Sequence, residues 1–252
     1  MKSEAAENPL GYEKISTLLK GFAIPSVIAM LVSSLYNIVD QIFIGQGVGY
    51  LGNAATNVAY PLTTICLAIA LLIGIGSASR FSLYLGSGMK EKAADVVGNG
   101  VCMMFLFGIL YAVLVELFLD PLLTAFGATA DVMPYAVSYT RITDAVCNLA
   151  RADGSPKYSM VCMLVGAVLN TILDPIFIFV FHQGMAGAAI ATVIGQFFSF
   201  LMAVRYLWNF KQVKLERKNF RLSAKECLTT ASLGMSNSLN QVAITLVQIV
   251  LN

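Results

Sequence analysis

The sequence predicts an all-α integral membrane protein with six crossings and the start of a seventh helix. Three observations predict it. Apolar residues make up 58% of the 252-residue chain, above the roughly 45–50% of soluble domains. Charged residues are only 12%, against ~25% in soluble domains. Fifteen of the sixteen Lys and Arg residues fall in alternate loops, leaving Arg141 as the exception. Loops rich in Lys and Arg face the cytoplasm, so the pattern also orients the chain, with its N-terminus inside.

The elements follow in order. Residues 1–20 form a cytoplasmic N-terminal segment with Lys2, Lys14 and Lys20. It is polar and acidic through Glu7, unlike a cleavable signal peptide. The N-terminal transmembrane lobe covers 21–210. A membrane helix needs about 20 mainly apolar residues. Spans at 21–44, 54–79, 96–119, 158–181 and 185–208 meet that need. Loop 45–53 is uncharged, and the next loop carries Arg80, Lys90 and Lys92. Loop 120–134 has no Lys or Arg, and neither does the turn His182-Gln183-Gly184. Residues 211–228 form a basic cytoplasmic loop with Lys211, Lys214, Arg217, Lys218, Arg221 and Lys225, and Arg205 just before it counts with that side. A further apolar helix begins at 229 and runs to Asn252.

Segment 133–150 is the weak crossing. It contains Arg141 and Asp144, each costing ~2.5–3.5 kcal/mol at a helix centre. Parity still requires a crossing, because loop 120–134 reads as external and Arg151–Lys157 as internal. Eighteen residues reach about 27 Å, close to the thickness of a bilayer core. Arg141 and Asp144 stand three apart and can pair on one face.

Composition excludes several functions. No basic arm interleaved with aromatics is present, so nucleic-acid binding has no support. Cys66, Cys102, Cys147, Cys162 and Cys227 form no CxxC pair and read as small buried hydrophobes. With one histidine, His182, at a span end, a His-based metal or catalytic site is not expected. Phosphate loops and nucleophile–base constellations are absent, so the chain is not expected to be an enzyme.

Ionisable groups inside membrane helices are costly and mark function by default. Glu116 lies one turn from a helix end, where its side chain can reach the interface. Asp40 and Asp174 lie deeper. Asp40 stands twenty residues from Lys20, about 30 Å along a helix. Asp174 stands seventeen from Lys157, about 26 Å. Both therefore sit at similar depth in the outer half. Asn37 lies three residues before Asp40, and Asn170 four before Asp174, so each shares its partner's face. Thr192 on the last full span reaches matching depth. Asp40, Asn37, Asn170, Asp174 and Thr192 are expected to line one polar chamber. The alternative is that they only join helices by hydrogen bonds.

Pro25 lies one turn into the first span, and Pro175 follows Asp174 directly. Proline frees the carbonyl four residues back. For Pro175 that carbonyl belongs to Thr171, beside the chamber, where it can add to a cation site. Gly187, Ala191 and Gly195, like Gly74, Gly76 and Ala78, read as small residues for close helix packing.

Five stretches together carry a resemblance to a known family. They are Asn8–Ser16, Ile24-Pro25, Tyr36–Gly45, Arg151–Tyr158 and Leu169–Phe177. The chain resembles the multidrug and toxic compound extrusion (MATE) family, most of all its bacterial drug-exporter branch. The resemblance implies twelve helices in two six-helix lobes, of which this chain carries the N-terminal lobe and the first helix of the second, 229–252. It implies a multi-pass protein of the cytoplasmic membrane that exports small organic cations or drugs. It implies coupling to entry of Na⁺ or H⁺, with no other cofactor. Asp40, Asn170, Asp174 and Thr192 match the family's ion-coupling positions, and Pro25 matches its bend-forming proline. A C-terminal lobe is then an expected partner, as is the lipid bilayer.

Two departures stand out. The chain stops inside the first helix of the second lobe, and it has fewer residues than usual between Ile142 and Arg151. A non-transporting or dimerising half-protein is therefore the rival reading. A lipid-linked sugar flippase shares the architecture but would want basic residues in the cavity.

Overall fold

The computed structural model describes residues 14–147, 156–208, 213 and 215–251. The described residues form helices α1 (Ile15–Gly47), α2 (Tyr50–Gly86), α3 (Lys90–Leu117), α4 (Leu119–Ala125) and α5 (Met133–Cys147). Then come α6 (Pro156–Pro175), a π-helical turn (Ile176–Val180), α7 (Gly184–Trp208), a 3₁₀ turn (Arg217–Asn219) and α8 (Ala224–Leu251). Among the described residues, four helices are long and apolar enough to cross a membrane by length and composition: α1, α2, α3 and the Gly184–Met202 part of α7. A shorter apolar stretch covers Leu164–Val180.

The helices overrun their apolar windows. α1 begins at Ile15 and α8 at Ala224, because a helix satisfies its own backbone and polar flanks do not end it. Glycine ends α1 instead: Gly49 takes φ 90° in the turn to α2, a conformation open to residues without a Cβ. The stretch after α3 holds α4, whose Leu119 and Leu123 are buried.

Segment 133–150 is helical from Met133 to Cys147, the last described residue before Pro156. Its described part is not among the helices long and apolar enough to cross. Arg141 reaches across to α3, where its Nε lies 3.0 Å from Glu116 Oε1. Glu116 therefore has an ion-pair partner. The expected pairing with Asp144 concerns a side chain outside the described residues, as does the Arg151–Tyr158 motif's first part.

α1 packs chiefly on α6, α2 on α3, α5 and α8, and α7 on α5 and α6. One apolar core joins Ile44, Leu62, Cys66, Tyr111, Leu123, Ile178 and Met185. It sits at the end where α1 stops and α2 begins. The outer surface is apolar too: Val27, Leu31, Leu35 and Ile38 of α1 are all more than half exposed. That inverts the arrangement of a soluble bundle and suits lipid or another helix bundle.

Small residues set the closest crossings. Gly195 of α7 lies against α6 so tightly that a Cβ there would stand 2.6 Å from the Gly166 carbonyl oxygen. Gly76 of α2 meets the Thr230 carbonyl of α8, and Gly234 of α8 meets the Leu72 carbonyl of α2. Gly74 has only ordinary contact with Met104, at 3.6 Å.

Candidate functional site

Three helices converge on a buried polar cluster. α1 supplies Asp40, α6 supplies Asn170 and Asp174, and α7 supplies Thr192. Asp174 is 0% exposed, Asn170 3%, Asp40 5% and Thr192 6%. Four polar side chains removed from solvent in an apolar bundle carry a heavy desolvation cost. They remain there only if they are paired or bind something.

The local sequence explains the arrangement. Asn170 and Asp174 stand one helical turn apart, so their side chains lie on one face. The Asn170 amide Nδ2 donates to Asp174 Oδ1 at 3.2 Å and to Thr192 Oγ1 at 3.1 Å. Thr192 reaches Asn170 because Gly195, three residues on, lets the α6 and α7 backbones close together. Past Pro175 the helix widens into the π-helical turn. Proline cannot bond to the Thr171 carbonyl, and π-turns are frequent at functional sites.

Asp40 completes the cluster from α1. Its carboxyl group lies within hydrogen-bonding reach of the Asp174 carboxyl. Three buried acceptors, Asp40 Oδ1, Asn170 Oδ1 and Asp174 Oδ2, have no hydrogen-bond partner among the described residues. Buried oxygens in native proteins are almost always paired. Two adjacent carboxyl groups in a dry site also call for positive charge between them. A proton meets that need, and so does a hard cation, which prefers oxygen ligands.

Asn37 is not brought into this cluster. It is exposed, and its Nδ2 donates to the Ser33 carbonyl at 2.7 Å. A spacing of three leaves it about 60° around the helix from Asp40, and the packed face is narrower than that. Asn37 instead lines a groove of about 620 Å³ with Gln41, Gln46 and Asn53. Sequence reasoning missed these amides. Their signal was the density of Asn and Gln around the uncharged 45–53 loop. Gln41 also ties the two helices, accepting from the Thr56 hydroxyl at 3.1 Å.

Pro25 lies inside α1 without ending it and is buried. It leaves the Gly21 carbonyl without its helical donor. Cys66 and Cys162 are buried, while Cys102 and Cys227 are partly exposed; the Cys147 side chain lies outside the described residues.

The MatE family model matches residues 25–176, which include Asp40, Asn170 and Asp174. The chain belongs to the MatE family. It is thus a multi-pass membrane protein of a transporter family and not an enzyme. Its curated relatives include the multidrug export protein MepA of Staphylococcus haemolyticus, 29% identical over 234 residues. That match covers 86% of this chain and 49% of MepA. The probable multidrug resistance protein YoeA of Bacillus subtilis is 25% identical, with 98% of this chain and 58% of YoeA covered. Among solved structures, an outward-facing multidrug resistance MATE transporter superposes with a TM-score of 0.81 at 26% identity. It covers 89% of this chain and 52% of that one. The chain spans about half the length of the MATE relatives it matches.

Proposed function

We propose that this chain is the N-terminal lobe of a cation-coupled antiporter that exports organic cations or drugs across the cytoplasmic membrane. Its N-terminus and the basic 211–228 loop face the cytoplasm, and α8 opens the second lobe. Asp40 and Asp174 alternate between holding and releasing Na⁺ or H⁺, with Asn170 and Thr192 positioning them. The observation that carries this reading is the trio of buried, unpartnered oxygens on Asp40, Asn170 and Asp174. The multidrug exporters among its relatives supply the substrate class.

Coupling requires the ion to bind two conformations with different affinity. α1 is the element able to translate ion binding into movement. It carries Asp40 at the site and Pro25 fifteen residues below, where the helix lacks a backbone bond. An ion that draws Asp40 toward Asp174 pulls α1 onto α6, and its release lets α1 swing about Pro25.

The rival reading, a half-protein that does not transport, draws on α5. Its segment 133–150 carries Arg141 and Asp144, which are costly in a membrane crossing. The two readings part in one experiment. ²²Na⁺ binding and proton release are measured on the purified chain and on Asp40→Asn and Asp174→Asn. Saturable binding lost in both variants supports the ion site. Wild-type-like binding in the variants, or none in the parent chain, sinks it.

A further inference from the structure

Far from the Asp40 cluster, at the end of the bundle that carries Arg80, a second polar network links segments distant in sequence. Arg80 of α2 meets Glu226, in the first turn of α8, through two bonds. Nε donates to Oε2 at 2.7 Å and Nη2 to Oε1 at 3.1 Å. The same Nη2 donates to the Tyr84 hydroxyl at 2.8 Å, and the guanidinium lies 5.0 Å from the centre of the Tyr84 ring. Both partners of the pair are partly withdrawn from solvent, at 18% and 23% exposure. Paired bonds of this kind are geometrically demanding and stronger than neutral ones.

The strap that leads into α8 is pinned to α3 beside this pair. Asn219 is buried; its amide nitrogen donates to Asp95 Oδ1 at 2.6 Å, and its own oxygen accepts from the Glu216 backbone N–H at 2.8 Å. Asn99 of α3 donates to the Arg221 carbonyl at 3.0 Å and accepts from Cys227 Sγ at 3.5 Å. Gly98 admits the Asn219 carbonyl where any side chain would collide with it.

Further along the interface the contacts change character. At Gly76 and Gly234 the α2 and α8 backbones touch directly. Such contacts hold by dispersion and leave no polar group to satisfy when the helices part. Among the described residues, polar attachment between α8 and the N-terminal helices is concentrated at the strap with the first turn of α8 and at the buried Thr64–Thr245 hydroxyl pair, 2.8 Å apart. Of these groups the Arg80–Glu226 pair borders solvent, so there water can replace the broken bonds.

We infer that the strap 215–223 and the first turn of α8 form a lock on α2 and α3, with the Arg80–Glu226 pair as its bolt. While the bolt is closed, α8 stays seated at this end. Parting the two requires water to take over the guanidinium and the carboxylate, after which Asn219 and the Arg221 carbonyl release together. The inference stands on this geometry alone and does not depend on the ion site.

Cys227 reports the lock directly. It sits in the first turn of α8, partly exposed and held by Asn99. Its rate of labelling by N-ethylmaleimide, read by peptide mass spectrometry on the full chain, is expected to rise roughly tenfold in Arg80→Ala and Glu226→Ala, the weight of one charge-assisted hydrogen bond. The exchange variant Arg80→Glu/Glu226→Arg is expected to restore protection to within about threefold of the parent, a recovery of about half of that loss. Thr245→Val, at the other end of the interface, is expected to leave Cys227 unchanged. Unchanged Cys227 labelling in the single variants overturns the lock, and so does an exchange variant as reactive as they are. Cys66 and Cys162 control for unfolding. If they become reactive in the alanine variants, Glu226→Gln decides, since it removes the charge at constant volume: raised Cys227 labelling supports the lock and unchanged labelling ends it.

Discussion

Asp40 on α1 and Asp174 on α6 bring their carboxyl groups together inside the bundle, and the Asn170 amide donates to Asp174 Oδ1. A hundred and thirty-odd residues separate the two acids, yet they act as one site. Each holds a buried oxygen that the protein does not satisfy. A cation or proton between them removes a like-charge conflict and fills those lone pairs in one step.

That conflict makes the pair costly when nothing is bound. Asp174→Asn keeps the volume and the bond to Asn170 but removes one charge. Two like charges in one dry site disfavour each other's ionised form, so removing one relieves the pair. The variant is therefore expected to melt at or above the parent temperature in Na⁺-free buffer. It should lose any rise in melting temperature that Na⁺ confers on the parent through ligand linkage. Parallel thermal melts with and without Na⁺ check both parts.

Proton and Na⁺ should compete for the same oxygens. Na⁺ added to the weakly buffered, proton-loaded chain is expected to acidify the medium, because binding the metal displaces a proton. Asp40→Asn and Asp174→Asn should release none. A pH electrode or an indicator dye reads the outcome, and equal release from the variants would remove the carboxyl pair as the source.

Asn37 separates the buried site from the groove beside it. Asn37→Ala deletes one exposed bond to the Ser33 carbonyl. It should change stability by no more than ~0.5 kcal/mol and leave Na⁺ binding intact. Asn170→Ala removes the donor shared by Asp174 and Thr192, and should cost about 1–3 kcal/mol together with the Na⁺ response. Calorimetric titration of the two variants side by side checks the contrast.

The α2–α8 crossing is equally exposed to test. A side chain at Gly76 or Gly234 collides with main-chain carbonyls, which cannot turn aside. Gly76→Val should cost about 1–3 kcal/mol by overpacking or push α8 away from α2. Gly74→Ala, two residues earlier and with room for a Cβ, should be tolerated. Melting temperatures in detergent distinguish the two.

Arg141 of α5 and Glu116 of α3 form an exposed pair. Arg141→Gln strands a carboxylate there, whereas the double change with Glu116→Gln strands nothing. The single variant should therefore yield less membrane-integrated protein than the double one, measured by quantitative blotting of washed membranes. A single variant at parent level would place the pair in water.

Much of the site was legible in the sequence, for a specific reason. Two acids at matching distance from their flanking lysines have few ways to lie at different depths, because helical rise is constant. Asn170 and Thr192 followed from the same arithmetic. Asn37 did not, since depth says nothing of direction. Its spacing of three from Asp40 allowed a shared face, and the packing of α1 on α6 left it on the rim. The ion pairs were out of reach altogether. Arg141 had a plausible partner three residues away in Asp144, yet Glu116 of α3 lies against it. Nothing near Arg80 in the sequence points to Glu226.

The sequence by itself determined that this chain is helical and membrane-embedded, how its loops are sorted by charge, and which buried acids stand level. Those properties come from composition and from distance along a helix, which are local. The tertiary structure alone decided which faces meet: Asp40 toward Asp174, Asn37 toward the groove, Arg80 toward Glu226. The rotation of each helix about its axis is set by the packing of glycines such as Gly195 and Gly234 against a neighbour's backbone, and that depends on residues scattered across the whole chain.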